Sequence, residues 1–315
     1  MKIKIVSGLK FQKDFYSLPK DKYELVVVKD DTELEEEVKS ADALISAFGV
    51  KVPDEIMRKS TNLKIISNLG VGVDNINIEL ARQLGITVTN TPDPVTLPTA
   101  ELIIGLTLSL QRRICELDHE IRKGNAKFGV MHNWGNSLFN KKIGIIGMGR
   151  IGKATASLLQ PFNTTISYFQ RNKLNQSDES LINATFLPLD ELLTSSDIVI
   201  LCTPLTKDTK HLINKETLDL MKPSSIIINA ARGPIINEKD LINTLKSKKI
   251  KGAALDVYEF EPEINSDLLL MKNVVLVPHI GTATYETRKE MLQLVCQNIM
   301  DFFDGRPLKN IVNII

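Results

Sequence analysis

Three apolar runs in the second half of the chain each end on side chains that can bind an anion or move a proton. Arg232 closes "IIINAARGPIIN", Asp256, Glu259 and Glu261 close "GAALDVYEFEP", and His279 closes "VVLVPHIGTAT". A guanidinium polarises a carbonyl or grips a carboxylate. An imidazole exchanges protons near neutrality, and a neighbouring carboxylate orients the ring and favours its charged form. Together they form an acid/base set with an anion clamp. Ligands of open parallel sheets gather at the carboxyl ends of strands, which is where these residues fall. The remaining histidines read differently: His119 in a polar helical stretch, His132 in a loop and His211 in a polar segment are taken as solvated or structural.

Upstream, "KKIGIIGMGRIGKATA" (141–156) runs a strand into Gly147, Gly149 and Gly152 and then at once into a helical pattern. The first glycine makes a tight turn, the second lets backbone approach a pyrophosphate, and the third lets helix pack on strand. The helix N-terminus then faces the phosphates. A bare GxGxxG is weak evidence, but here it has the strand-turn-helix setting that a dinucleotide site requires. A glycine-rich turn without ligand and a methyltransferase loop are the competing readings. The residue that would grip the adenosine ribose belongs at the end of the next strand, "ISYFQRNK", at Gln170 or Arg171. A carboxylate there would accept the ribose hydroxyls, whereas an arginine can pair with a 2′-phosphate and stack on adenine. Arg171, with Asn172 and Lys173, therefore favours NADP(H); the alternative is that Arg171 only stacks on adenine and NAD(H) is used.

These residues need a scaffold, and the pattern of short apolar runs alternating with helical periods is that of βα units in parallel sheets. The class is α/β. Strands are expected at 3–6, 25–28, 43–46, 64–67 and 86–89 in a first sheet, and near 143–147, 165–169, 197–201, 225–229, 252–255 and 274–277 in a second. One long helix from Thr99 to about Lys123 follows Pro98, and its first half is apolar on almost every side, which implies burial against another domain or subunit. A helix from Tyr285 to Phe303 carries the chain onward. With 315 residues and 43% hydrophobic content, two cores are expected. The proposed division is 1–96 with 286–315, and 97–285.

Composition narrows the partners. Lysine and arginine total 39 against 38 acids, so no general field draws the chain to nucleic acid or to an anionic membrane. Cys115, Cys202 and Cys296 are odd in number and widely spaced, which argues against a disulfide framework or a structural zinc site. No run approaches the length of a membrane helix, and the opening "MKIKIVSGLK" is too short in apolar character for a secretion signal. A small-molecule enzyme of the cytoplasm, without a metal, is the resulting expectation.

The segments "GIIGMGRIGKA", "LCTPLTKDTKHLINKETLDLMKPSSIIINAARG", "ALDVYEFEP" and "PHIGTAT" resemble the D-isomer-specific 2-hydroxyacid dehydrogenases, as do "NLGVGVDNIN", "GITVTNTP" and the tail "QNIMDFFDGRPLKNIVN". The likeness runs over nearly the whole chain. It implies two Rossmann-like domains, a flavodoxin-like substrate domain built from both chain ends and a dinucleotide-binding domain, with a cleft between them. It also implies that Arg232 binds the substrate carboxylate and carbonyl, that His279 donates the proton in reduction, and that Glu261, the acid before proline, pairs with His279. Val71 and Gly72 would take the substrate carboxylate through backbone N–H groups. Cofactor contacts would come from Gly147, Gly149, Arg150, Ile151, Gly152, Gln170, Arg171, Asn172, Thr203, Pro204, Thr209, Ala230, Asp256, His279 and Gly281. Glu259 has no place in that pattern. Leu97-Pro98 departs from the family, which more often carries acidic or small polar residues there. The resemblance further implies a homodimer, and it is closest in type to glyoxylate and hydroxypyruvate reductases. D-3-phosphoglycerate and D-lactate dehydrogenases are alternatives within the family, and a nucleotide-sensing co-repressor is an alternative of another class.

Overall fold

The computed structural model describes residues 2–50, 52–125 and 127–313. The chain divides into two compact units, Met1–Val95 with Thr282–Ile315, and Thr96–Gly281. Its strands are β1 (Ile3–Ser7), β2 (Tyr23–Val27), β3 (Ala43–Ala47), β4 (Ile65–Leu69), β5 (Thr87–Thr89), β6 (Lys142–Ile146), β7 (Thr165–Phe169), β8 (Ala184–Phe186), β9 (Ile198–Leu201), β10 (Ile226–Asn229), β11 (Gly252–Leu255) and β12 (Val274–Leu276).

The first unit carries a five-stranded sheet in the order β2-β1-β3-β4-β5, every pair parallel. This is the flavodoxin-like order. The helix Tyr285–Phe303 belongs to this unit and packs against β4. Its buried residues Met291, Val295 and Ile299 recur every four positions and Leu292 and Cys296 lie beside them, an apolar stripe of helical period.

The second unit carries seven parallel strands in the order β12-β11-β10-β9-β6-β7-β8. The chain enters at β6, runs outward through β7 and β8, then returns to β9 on the other flank of β6 and continues to β12. The reversal between β6 and β9 is the topological switch point at which open α/β sheets bind ligands. Strands β9 ("IVIL") and β10 ("IIIN") are buried throughout, because helices cover both faces of such a sheet. Side chains alternate between the faces. Ile198, Ile200, Ile226 and Ile228 enter one core, and Val199, Leu201 and Ile227 the other.

The structure alters two expected elements. The long helix after Pro98 is two helices, Thr96–Gln111 and Ile114–Arg122. They break at Arg113, whose backbone is left-handed at φ 57°. A loop segment takes over the helix end there: Asn136 N–H donates to the Gln111 carbonyl at 2.7 Å. A Cβ on Gly135 would come within 2.6 Å of that same oxygen, so only glycine permits the approach. Strand β8, three residues at the sheet edge, was not expected from the pattern. Among the described residues no helix is long and apolar enough to cross a membrane.

Candidate active site

The end of β6 turns at Gly147, φ 98°, where a Cβ would sit 2.7 Å from the carbonyl of Cys202 and from Thr203 N at the end of β9. At Gly152 a Cβ would be 2.2 Å from the Gly147 carbonyl oxygen. Backbone packing within the protein therefore demands both glycines. Gly149 differs, because a Cβ there would meet nothing within 4 Å and its φ of −77° suits any residue. Among the described residues no atom crowds this position, and the open space lies at the first turn of the helix Arg150–Leu159. A phosphate group fits there, since the first backbone N–H groups and the helix dipole point that way. The helix sits down on the sheet through Gly152, Thr155, Ala156 and Leu159, spaced as one helical face.

At the end of β7, Gln170 Oε1 accepts the Met148 N–H at 3.0 Å, and its Nε2 donates to the Asn172 carbonyl at 2.8 Å. An amide thus ties the glycine turn to the neighbouring strand end, where a carboxylate would serve the ribose. Arg171 and Asn172 are exposed just beyond it. Lys173 is drawn aside, its Nζ 3.6 Å from Glu179. Arg150 and Ile151 open the helix. Thr203 and Pro204 follow β9, and the Thr209 hydroxyl folds that loop back by donating to the Pro204 carbonyl at 2.7 Å. Ala230 follows β10 directly.

The acid/base set lies at the ends of β10, β11 and β12. His279 Nδ1 and Glu261 Oε2 are 2.9 Å apart. Glu261 Oε1 also accepts the Tyr258 N–H at 2.9 Å. Burial would raise the Glu261 carboxyl, but the bonds from His279 and Tyr258 and the positive charges of His279 and Arg232 outweigh it, so the carboxyl lies below its ordinary value. The His279 backbone is left-handed, φ 54°, and its N–H donates to the Asp256 carbonyl at 2.8 Å. Asp256, at the end of β11, is 1% exposed and accepts N–H bonds from Ile280 at 2.6 Å and Gly281 at 2.9 Å. Burial pushes its carboxyl up to about 6 against those bonds and the nearby His279. Asp256 therefore shapes the turn that presents His279. Arg232 follows β10; its Nη1 donates to the Ala231 carbonyl at 2.8 Å, and Asn229 Nδ2 donates to the Arg232 carbonyl at 3.0 Å.

Asp256, Glu261 and His279 are thus joined, and the Arg232 charge reaches Glu261. Val71 and Gly72 lie in the first unit, in the turn after β4, where Asn90 Nδ2 and Asn68 Nδ2 hold their carbonyls at 2.9 and 2.8 Å. The reading of His211 as solvated or structural left out a partner: its Nε2 lies 2.5 Å from Glu259 Oε1. The two are far apart in sequence, and no local motif announces the pair.

Residues 104–281 match the family model described as D-isomer specific 2-hydroxyacid dehydrogenase, NAD binding domain. The glyoxylate reductase of Pyrococcus furiosus is 43% identical over 283 residues, which cover 88% of this chain and 84% of that protein. The glyoxylate reductase of Thermococcus onnurineus is 39% identical over 323 residues, covering 99% and 96%. Among solved structures, the NADPH-dependent glyoxylate/hydroxypyruvate reductase of Sinorhizobium meliloti in complex with NADP and malonate superposes with a TM-score of 0.89 at 29% identity, over 99% of this chain and 97% of that one.

Proposed function

The chain belongs to the D-isomer specific 2-hydroxyacid dehydrogenase family, and from that premise we propose that it reduces glyoxylate and hydroxypyruvate to their 2-hydroxy acids with NADPH. It is an oxidoreductase acting on CH–OH donors with a nicotinamide dinucleotide. The observation that carries the reading is the His279–Glu261 pair, set at strand ends of the same sheet whose β6 runs into the glycine turn.

When bound, the reduced nicotinamide supplies a hydride to the carbonyl carbon. Arg232 holds the substrate carboxylate and steadies the negative charge that grows on the carbonyl oxygen. His279 gives its proton to that oxygen, and Glu261 keeps the ring oriented. One hydride and one proton convert the 2-oxo acid to the 2-hydroxy acid. Gly147, Gly149 and Gly152 with Arg150 and Ile151 would seat the pyrophosphate, Asp256 and Gly281 the nicotinamide side, and Val71 and Gly72 the substrate carboxylate. Thr203, Pro204, Thr209 and Ala230 would line the dinucleotide between them.

NADPH is the finer part of the reading. Gln170 carries no charge to repel a 2′-phosphate and is already bound to the turn, while Arg171 stands exposed beyond it. A homodimer is a further part: Phe128, Val130, Met131 and Trp134 are 86%, 90%, 73% and 68% exposed on the loop after the helix Ile114–Arg122, which itself exposes Ile114 and Ile121. So much apolar surface in one stretch supports an interface between two copies. Free cysteines at 115, 202 and 296 suit a reducing cytoplasm.

Absorbance at 340 nm, followed with NADPH and with NADH over a panel of 2-oxo acids, tests the proposal. Oxidation of NADPH fastest with glyoxylate or hydroxypyruvate is the expected outcome; preference for a bulky or phosphorylated acid would displace the substrate assignment, and no turnover at all would displace the reductase.

A further inference from the structure

A second histidine–glutamate pair stands behind the Arg232 turn. His211 Nε2 lies 2.5 Å from Glu259 Oε1. The other oxygen, Oε2, accepts the Glu238 N–H at 2.9 Å, and Glu238 Oε2 in return accepts the Glu259 N–H at 3.2 Å. Glu238 is 5% exposed, and burial followed by the Glu259 charge raises its carboxyl. Three chain segments therefore meet on one carboxylate: the loop after β9, the start of the helix Glu238–Lys246, and the stretch between Asp256 and Glu261.

The Arg232 turn is enclosed by these segments. A Cβ on Gly233 would sit 1.8 Å from the Tyr258 carbonyl oxygen and 2.5 Å from Glu259 N, so the turn lies directly on the backbone that carries Glu259. On its other side His211 N–H donates to the Pro234 carbonyl at 2.8 Å, Ile213 N–H to Ile235 at 3.0 Å, and Asn237 N–H to Ile213 at 2.8 Å, a short strand-like ladder. His211, like His279, holds a left-handed backbone, φ 52°. A histidine in that region is strained, and such strain persists where the surroundings fix it. An isolated surface ion pair would not explain so many constraints on one residue.

We propose that His211, Glu259 and Glu238 are positioning residues that clamp the Arg232 turn against the Tyr258–Glu261 segment and so set the guanidinium relative to the Glu261–His279 pair. The proposal rests on the reading of Arg232 as the substrate anchor. Arg232 and Glu261 sit on different loops that follow the paired strands β10 and β11, and Gly233 packing and the His211–Glu259–Glu238 contacts join those two loops beyond the strand ends. Glu259 is one residue from Tyr258, whose N–H binds Glu261, so a shift at Glu259 is carried directly to the acid of the catalytic pair.

The test compares wild type with His211→Ala, Glu259→Ala and the conservative Glu259→Gln in the full chain. Michaelis constants for glyoxylate and hydroxypyruvate, NADPH affinity by fluorescence and backbone hydrogen exchange are measured. His211→Ala and Glu259→Ala are expected to raise the oxo-acid KM by tenfold to about a hundredfold, as for a reacting group misplaced by about 1 Å. NADPH affinity stays within about twofold, and exchange quickens at residues 231–237 but not in β6. Glu259→Gln, whose amide still accepts from Glu238 N–H and can donate to a neutral His211, should restore most of the KM. An unchanged oxo-acid KM in both alanine variants overturns the inference, as does a loss shared equally by substrate and cofactor affinity. Should wild type reduce no 2-oxo acid, the reductase assignment falls and the exchange pattern alone decides: unchanged exchange at 231–237 rejects the clamp, and quickened exchange there supports it. If Glu259→Ala does not fold, His211→Ala, at a partly exposed side chain, still decides.

Discussion

His279 and Glu261 meet through Nδ1 and Oε2 at 2.9 Å, so proton exchange with a ligand falls to Nε2. Replacing His279 with alanine should lower kcat for reduction by roughly 10²–10⁴, with NADPH affinity retained. Replacing Glu261 with glutamine keeps a hydrogen-bond partner for the ring but removes the negative charge beside it, so kcat for reduction should fall by roughly tenfold with NADPH affinity retained. An unchanged kcat would deny Glu261 its electrostatic role.

Asp256 couples stability to pH in the opposite sense from a paired surface acid. Its carboxyl is raised from 3.8 to about 6, largely by burial. Between those values the folded chain keeps a proton that the unfolded chain releases. This group therefore costs stability as pH rises through that window and adds no further cost above it. The melting temperature of Asp256→Asn should gain on wild type between roughly pH 4 and 6 and then run parallel to it. The amide cannot accept both the Ile280 and Gly281 N–H groups, which lowers the variant by a constant amount at every pH. A gap between the two proteins that narrows with falling pH in the wrong direction, or stays flat, would refute the shift.

The glycines of the turn should separate under substitution. Gly152→Ala forces a Cβ to within 2.2 Å of the Gly147 oxygen, so it should lower the melting temperature at a cost of about 1–3 kcal/mol. Gly149→Ala meets only open space in the protein. Its melting temperature should match wild type while NADPH binds at least about tenfold more weakly, or ~1.4 kcal/mol. Equal stability and equal NADPH affinity in Gly149→Ala would remove the phosphate from that place.

Arg171→Ala should raise KM for NADPH by about tenfold or more and leave KM for NADH nearly unchanged, since a charge-assisted bond contributes about 1.5–3 kcal/mol. The selectivity of wild type should shrink as salt is added, because the contact is exposed. Parallel titrations of both cofactors at two ionic strengths check this.

Replacing Phe128 and Trp134 with serine should turn a dimer into a monomer in sedimentation, because aromatic side chains of that size carry much of an interface. Wild type sedimenting as a monomer would refute the assembly outright.

Much of the scaffold is legible in the sequence. Strands β9 and β10 are legible because a strand covered on both faces needs an unbroken apolar run, and 198–201 and 226–229 have one. Arg232, Glu261 and His279 could be singled out because each follows such a run. The helix break at Arg113 could not, since neither glycine nor proline stands at the break and the cause is a loop more than twenty residues further on. Strand β8 is too short to show a period. Gln170 gave its amide chemistry away but not its bond to Met148, and His211 sat among polar residues while its partner lay 48 positions downstream. Contacts made by tertiary folding leave no local trace.

The strand order β12-β11-β10-β9-β6-β7-β8 sets Arg171, beyond β7, on one flank of β6 and the proton-handling residues on the other. Substitutions at the β7 end would then retune the proposed choice of reduced nucleotide from a place in the sheet remote from the ends of β10, β11 and β12, leaving Arg232, Glu261 and His279 where they stand.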